Sequence, residues 1–278
     1  MLLGKALSRM IIIACLGLLL ASRDHAFGLA IPIRQSGRTV VLLYNKPSGV
    51  VTTHEEIDAK GRVNVYQDVL SMRGFVASSP SDVNKTLQQL TGVNPTEWNA
   101  VGRLDANTTG LLLITNDGGL VHHVTNKSSK TSLELGPLGK TYEAVIMGYH
   151  DNDSIVIRTV RENGVDIGEK YGGLTAPASD IAVLGHPTHK TTKVSLTIYE
   201  GKNRQVRRMF HALGSGVMQL QRVSIGANLT LAGLEIGQWR ILSDDEVLGN
   251  LKWAPRNLDS PKRSSQQRTA TSTPKKSH

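Results

Sequence analysis

Cysteine, aromatic side chains and long apolar runs are what this chain has least of. Its 278 residues include one cysteine, Cys15, and 4% aromatics. A single thiol excludes a disulfide scaffold. No strand is rich in aromatics, which excludes a sheet that stacks RNA bases on several rings. The one extended apolar run, Ile11–Ala21, has 11 residues, short of the roughly 18 that a membrane-spanning helix needs. His122-His123 and His150-Asp151-Asn152-Asp153 lack partners at metal-ligand spacing and read as helix surface and turn. Gly136-Pro137-Leu138-Gly139-Lys140-Thr141 ends like a phosphate-binding loop. However, Glu134 stands where the first glycine belongs, and a strand follows where a helix should start. No internal repeat is present.

Charge of one sign is also scarcer than the net value of +9 suggests. Residues 1–40 carry five Lys/Arg against one Asp, and residues 256–278 carry six against one, which leaves 21 basic and 21 acidic residues between them. The pI near 9.7 therefore belongs to the two ends. A nucleic-acid surface on the middle of the chain must come from clustering rather than from net charge.

Lys5 and Arg9 precede the apolar run, the pattern of a signal segment over residues 1–22. Cys15 would leave with it. Asn-x-Ser/Thr acceptors remain at Asn84, Asn107, Asn126, Asn152 and Asn228, and the cysteine-free remainder argues against a working life in the secretory pathway. His25-Ala26-Phe27-Gly28 resembles the cleavage junction of bipartite leaders in algae with secondary plastids, and Arg34, Ser36 and Arg38 suit a transit stretch over residues 23–38. A plastid address is expected, with the mitochondrion as the alternative, and no stable membrane association once the leader is gone. From Pro255 onward Pro, Ser, Thr, Gln and Lys dominate, which predicts a disordered basic tail over residues 255–278. Residues 39–254 are left as the folded domain.

Within that domain Val40–Leu43 reads as a buried strand ended by the turn cluster Asn45-Lys46-Pro47-Ser48-Gly49. Leu111–Thr115 is a second buried strand, and Lys140–Gly148 a third. Thr192–Glu200 alternates, with Val194, Leu196 and Ile198 on one face. Residues 64–100 read as an insertion holding a short helix over Leu87–Leu90, broken by Gly92 to Pro95. Asn203 is a candidate N-cap and Gly214 a candidate C′ residue for a two-faced helix. Val206, Met209, Phe210 and Leu213 line one face; Arg204, Arg207, Arg208 and His211 line the other, roughly 200° away. A cationic face of this kind is suited to gripping phosphates.

The most telling run is Gly102-Arg103-Leu104-Asp105-Ala106-Asn107-Thr108-Thr109-Gly110-Leu111-Leu112-Leu113-Ile114-Thr115-Asn116-Asp117-Gly118. It sets a carboxylate, Asp105, in a polar loop entering a buried strand, where side chains are held for chemistry. Arg103-Leu104-Asp105, Thr109-Gly110-Leu111-Leu112 and Thr115-Asn116-Asp117-Gly118 resemble, in order and spacing, the catalytic motif of RNA pseudouridine synthases of the RsuA and RluE type. Glu200-Gly201-Lys202-Asn203-Arg204-Gln205-Val206-Arg207-Arg208-Met209 resembles a second signature of that family, Lys140-Thr141-Tyr142 a third, and Lys46-Pro47 its first. Leu174-Thr175-Ala176-Pro177-Ala178 resembles a further turn of the same domain.

The resemblance implies an α+β fold with a central mixed and antiparallel sheet in two subdomains flanked by helices. It makes Asp105 the nucleophile, pairs it with Arg207, stacks the target base on Tyr142 and puts Arg103 in the space the base vacates. Lys46, Lys140, Lys202, Arg204 and Arg208 are left as RNA-binding cations. It implies no metal and no cofactor, and a monomer acting on structured RNA. With the core starting near residue 39, the chain most resembles RluE-type members, which lack an S4-type domain and modify large-subunit rRNA. The competing reading is a non-catalytic RNA-binding or ribosome-assembly factor on the same fold. An intact Asp105, Tyr142 and Arg207 speak against it.

Overall fold

The computed structural model describes residues 37–55, 60–125, 138–226 and 228–256. The leader, its Ala26-Phe27 junction, Asn126, Gly136-Pro137 and the tail from residue 257 lie outside the described residues. Strands β1 (Val41–Lys46), β2 (Asn99–Ala100), β3 (Thr109–Thr115), β4 (Lys140–Met147), β5 (Asp180–Thr188), β6 (Thr191–Ile198), β7 (Val217–Ile225), β8 (Leu229–Thr230) and β9 (Trp239–Ile241) form one sheet. Its order is β5-β6-β4-β7-β3-β1-β9, with β2 on β3 and β8 on β7. The pairings of the described strands are antiparallel except β3 with β7, which run parallel at Thr109–Gln221 and Gly110–Arg222. This short seam joins two half-sheets.

The apolar patterns decide how each half is covered. β1 and β3 are continuous apolar runs, and both faces of each are buried. On one side Leu43, Leu111 and Leu113 meet Leu120 of helix α3 (Gly118–Thr125) and Leu251 of helix α6 (Asp244–Leu251). On the other, Leu42, Leu112 and Ile114 meet Val65 and Val69 of helix α1 (Val65–Leu70), Leu87 of helix α2 (Leu87–Thr91), Trp98 and Trp239. Each such leucine contributes about 1.5–3 kcal/mol by its burial. The stretch read as an insertion is therefore one wall of the core. Its helix over residues 87–91 was legible. α1 was not, although Asn64 and Gln67 close a capping box at its start.

β6 behaves differently. Val194, Leu196 and Ile198 bury against helices α4 (Ile155–Glu162) and α5 (Gln205–Ala212) through Ile157, Val160, Met209 and Phe210. The opposite face is polar, with Lys193 paired to Glu143 at 2.6 Å and Thr141 bonded to Thr197 at 2.9 Å. At the seam Gly110 has φ +102°, and a Cβ there would fall 2.2 Å from the Arg222 carbonyl oxygen. Only glycine lets the strands close.

Two local readings need correction. α5 begins at Gln205, and its N-cap is Arg204 in the left-handed region (φ 51°), not Asn203. His123 is not helix surface. It is buried, its Nε2 donates to the Leu251 carbonyl at 2.9 Å, and its ring packs on Trp253. Nearby the Asn116-Asp117 turn works as a clasp. The buried Asp117 carboxylate accepts from Thr39 (2.7 Å), Arg256 (2.8 Å) and Trp253 (3.2 Å). Thr39 N–H also donates to the Arg256 carbonyl at 2.8 Å.

Candidate active site

Asp105 lies in the loop between β2 and β3, and the backbone around it is pinned from several sides. Thr52 Oγ1 donates to the Leu104 carbonyl at 3.0 Å, Gly49 N–H to the Ala106 carbonyl at 2.8 Å, and Thr108 N–H to the carbonyl of Asp105 itself at 3.0 Å. Leu104 and Thr108, on either side of it, are buried. The carboxylate stays 30% exposed, so the loop is fixed while the acid faces solvent.

Two guanidinium groups reach that carboxylate. Arg204 Nη1 donates to Oδ2 at 3.1 Å, and Arg207 Nε stands 3.9 Å from the same oxygen. Arg207 is held in place by bonds from Nη1 to the Val217 carbonyl (3.0 Å) and from Nη2 to the Asn107 carbonyl (2.9 Å). Burial, and then the neighbouring Arg204 charge, lower its pKa, while Asp105 acts the other way. The expected pairing of Asp105 with Arg207 is present at 3.9 Å, and Arg204, expected at phosphates, is a second and nearer partner at 3.1 Å; its backbone stands in the left-handed region ahead of the helix.

The carboxylate opens on a cleft of about 170 Å³. Tyr142 of β4, Lys140 at the start of that strand, Arg103 and Arg222 also line it. Arg103 is exposed at the lip. Tyr142 is half-buried and packs against the cores of both half-sheets. Arg222 was missed in the sequence. It faces inward on β7 with 2% exposure, in register with Tyr142 across the strand pair. An arginine between Leu220 and Ile225 at an inward strand position was the available signal.

Three of the expected RNA-binding cations are engaged elsewhere. Lys46 is fully buried, and its ammonium donates to the carbonyls of Pro47 (2.8 Å), Val50 (2.8 Å) and Ala106 (3.4 Å). Burial lowers its pKa to about 8. It braces the loop behind Asp105 and cannot reach a phosphate. Lys202 Nζ donates to the carbonyls of Gly172 (2.7 Å) and Leu174 (2.6 Å), fastening that turn to the start of α5. The Arg208 guanidinium lies 3.1 Å from the centroid of the Tyr171 ring and bonds to Asn203. Asp117, the nearest other acid in the motif, is committed to the clasp.

The family model described as RNA pseudouridylate synthase matches residues 40–212, which carry Asp105, Tyr142, Arg204 and Arg207. The chain belongs to this family. It is 32% identical over 225 residues to the ribosomal small subunit pseudouridine synthase A of Vibrio vulnificus, covering 72% of this chain and 88% of that protein. It is 34% identical over 221 residues to the ribosomal large subunit pseudouridine synthase B of Bacillus subtilis, covering 77% and 83%. A crystal structure of a pseudouridylate synthase matches with TM-score 0.54 and 28% identity, over 77% of this chain and 74% of that one. This pseudouridine synthase is thus an isomerase acting on RNA, with the α+β mixed-sheet fold of its class. A small-subunit and a large-subunit enzyme match it almost equally, so identity alone does not choose between them.

Proposed function

We propose that this pseudouridine synthase isomerises a uridine in ribosomal RNA with Asp105 as the nucleophile, acting as a monomer. One observation carries the reading. Among the described residues, the lining of this cleft holds a single carboxylate, Asp105, among five cationic side chains, Arg103, Lys140, Lys202, Arg204 and Arg222, with one aromatic ring, Tyr142. A sugar-releasing glycosidase would need a second carboxylate across the bond, whereas one suffices for a covalent intermediate. In that scheme the C1′–N1 bond breaks and the base keeps its electron pair, while an Asp105 oxygen bonds C1′. The base turns, C5 bonds C1′ as the carboxylate leaves, and the C5 proton ends on N1. Nothing is gained or lost, so no co-reactant is required. Extruding the base costs a few kcal/mol, and stacking on Tyr142 returns about 1–3 kcal/mol. Arg204 and Arg207 aim the carboxylate, Lys140 meets a backbone phosphate, and Arg103, at the exposed lip, fills the space the base vacates and meets the phosphates beside it. The names of the relatives support rRNA as the substrate.

Pseudouridine mapping on unmodified small- and large-subunit rRNA transcripts tests this. Asp105→Asn should lose at least a thousandfold in single-turnover rate and keep RNA affinity within about threefold. A variant within tenfold of wild type overturns the nucleophile. Binding of rRNA with no pseudouridine formed by wild type favours the assembly-factor reading.

The address we propose is a plastid. The signal-like run, the absence of cysteine after Cys15 and the exposed Asn107 support it, because a glycan on Asn107 would stand two residues from Asp105. A fluorescent fusion of residues 1–40 should enter the plastid, and Phe27→Ala should hold it outside. Accumulation in mitochondria or cytosol overturns the address and leaves the chemistry untouched.

A further inference from the structure

Among the described residues, the guanidinium of Arg222 is buried and only partly satisfied. Its Nε donates to the Leu111 carbonyl at 2.7 Å, while its Nη2 is enclosed with no hydrogen-bond partner. No carboxylate among the described residues pairs with this side chain. An orphaned buried donor is costly, and an acceptor that enters beside it satisfies it. The side chain forms part of the cleft wall, and the residue directly across the strand pair is Tyr142. Partners in antiparallel register stand about 4.5–5.5 Å apart and point to the same face. A ring stacked on Tyr142 therefore presents its edge to Arg222.

We propose that Arg222 donates to a carbonyl of the target uracil and that it does so both before and after the base turns. This rests on the reading of the cleft as a uridine-isomerising site. The base exchanges N1 for C5 by half a turn about the line through N3 and C6. The same half-turn exchanges O4 and O2. A donor facing one carbonyl in the substrate faces the other in the product, so one guanidinium can hold the base in both positions. Phosphate is the less apt acceptor here, because Arg222 is 2% exposed while the exposed Arg103 stands at the lip.

The test is a cycle between enzyme and base. The probe is a stem-loop copied around the uridine that wild type isomerises in rRNA transcripts, with uridine, 2-thiouridine or 4-thiouridine at that position. Sulfur accepts hydrogen bonds poorly. Wild type should lose about tenfold to a hundredfold in single-turnover rate with at least one thio base, the scale of a hydrogen bond to a charged donor. Arg222→Met should be slow on uridine by a similar factor, and its own thio penalty should fall below about threefold. Arg222→Lys keeps the buried charge without the planar fork, and it carries the same cycle if the methionine variant does not fold. Equal thio penalties in wild type and variant overturn the proposal. So does a variant that weakens binding and flattens its salt dependence with turnover intact, which would make Arg222 a phosphate ligand. A wild type that forms no pseudouridine in any transcript instead sinks the reading of the site itself.

Discussion

The half-sheet that supplies Asp105 is covered on both faces, whereas the half-sheet that supplies Tyr142 and Arg222 is covered on one. The difference separates two tasks. Double coverage fixes the loop that carries the carboxylate, with Lys46 bracing it from behind. Single coverage leaves an edge of the inner face beside the seam to the cleft, where the proposed function has the base received. The cleft is where a rigid part and a receptive part of one sheet meet along a two-residue parallel contact.

This contrast can be broken by core truncation, the largest expected effect. Leu112 and Leu113 are consecutive residues on opposite faces of β3, and both are fully buried. Leu112→Ala and Leu113→Ala should each destabilise by about 2–5 kcal/mol. In β6, Leu196→Ala should cost a similar amount, while its neighbour Ser195→Ala should stay within about 0.5 kcal/mol. Urea melts read all four. If either β3 variant melts like wild type, double coverage is wrong.

A smaller effect sharpens the brace. Lys46→Met strands the carbonyls of Pro47 and Val50 and should cost about 1–3 kcal/mol. Its pH profile has a sign. The folded-state pKa of Lys46 is lowered from 10.5 to about 8, so the unfolded chain binds more protons between those values. Wild-type stability should then rise with pH from 8 to about 9.5, by about 1–2 kcal/mol, before tyrosines ionise. Lys46→Met should lack that rise and leave the salt dependence of RNA binding unchanged. Arg103→Ala, at the exposed lip, should reduce that slope by about 0.7–0.9. A flattened slope in Lys46→Met would restore it as a phosphate ligand.

Strands were legible where burial is encoded by pattern. Continuous runs marked β1 and β3, strict alternation marked β6, and the motif around Asp105 marked the site. What escaped was set by backbone geometry and long-range contact. Arg204 reaches Asp105 with its backbone in the left-handed region, which sequence periodicity cannot register. Lys46 in a turn-like sequence reads as exposed until three carbonyls, one of them 60 residues away, close around it. His123 likewise depends on a carbonyl 128 residues distant. α1 is too short for its apolar period to show, and only its capping box betrays it.

The clasp at Asp117 has a topological consequence. By holding Thr39 and Arg256 together, it makes the domain nearly a closed ring, entered and left at one pole. A circular permutant that links residue 256 to residue 39 by a few flexible residues keeps every strand pairing.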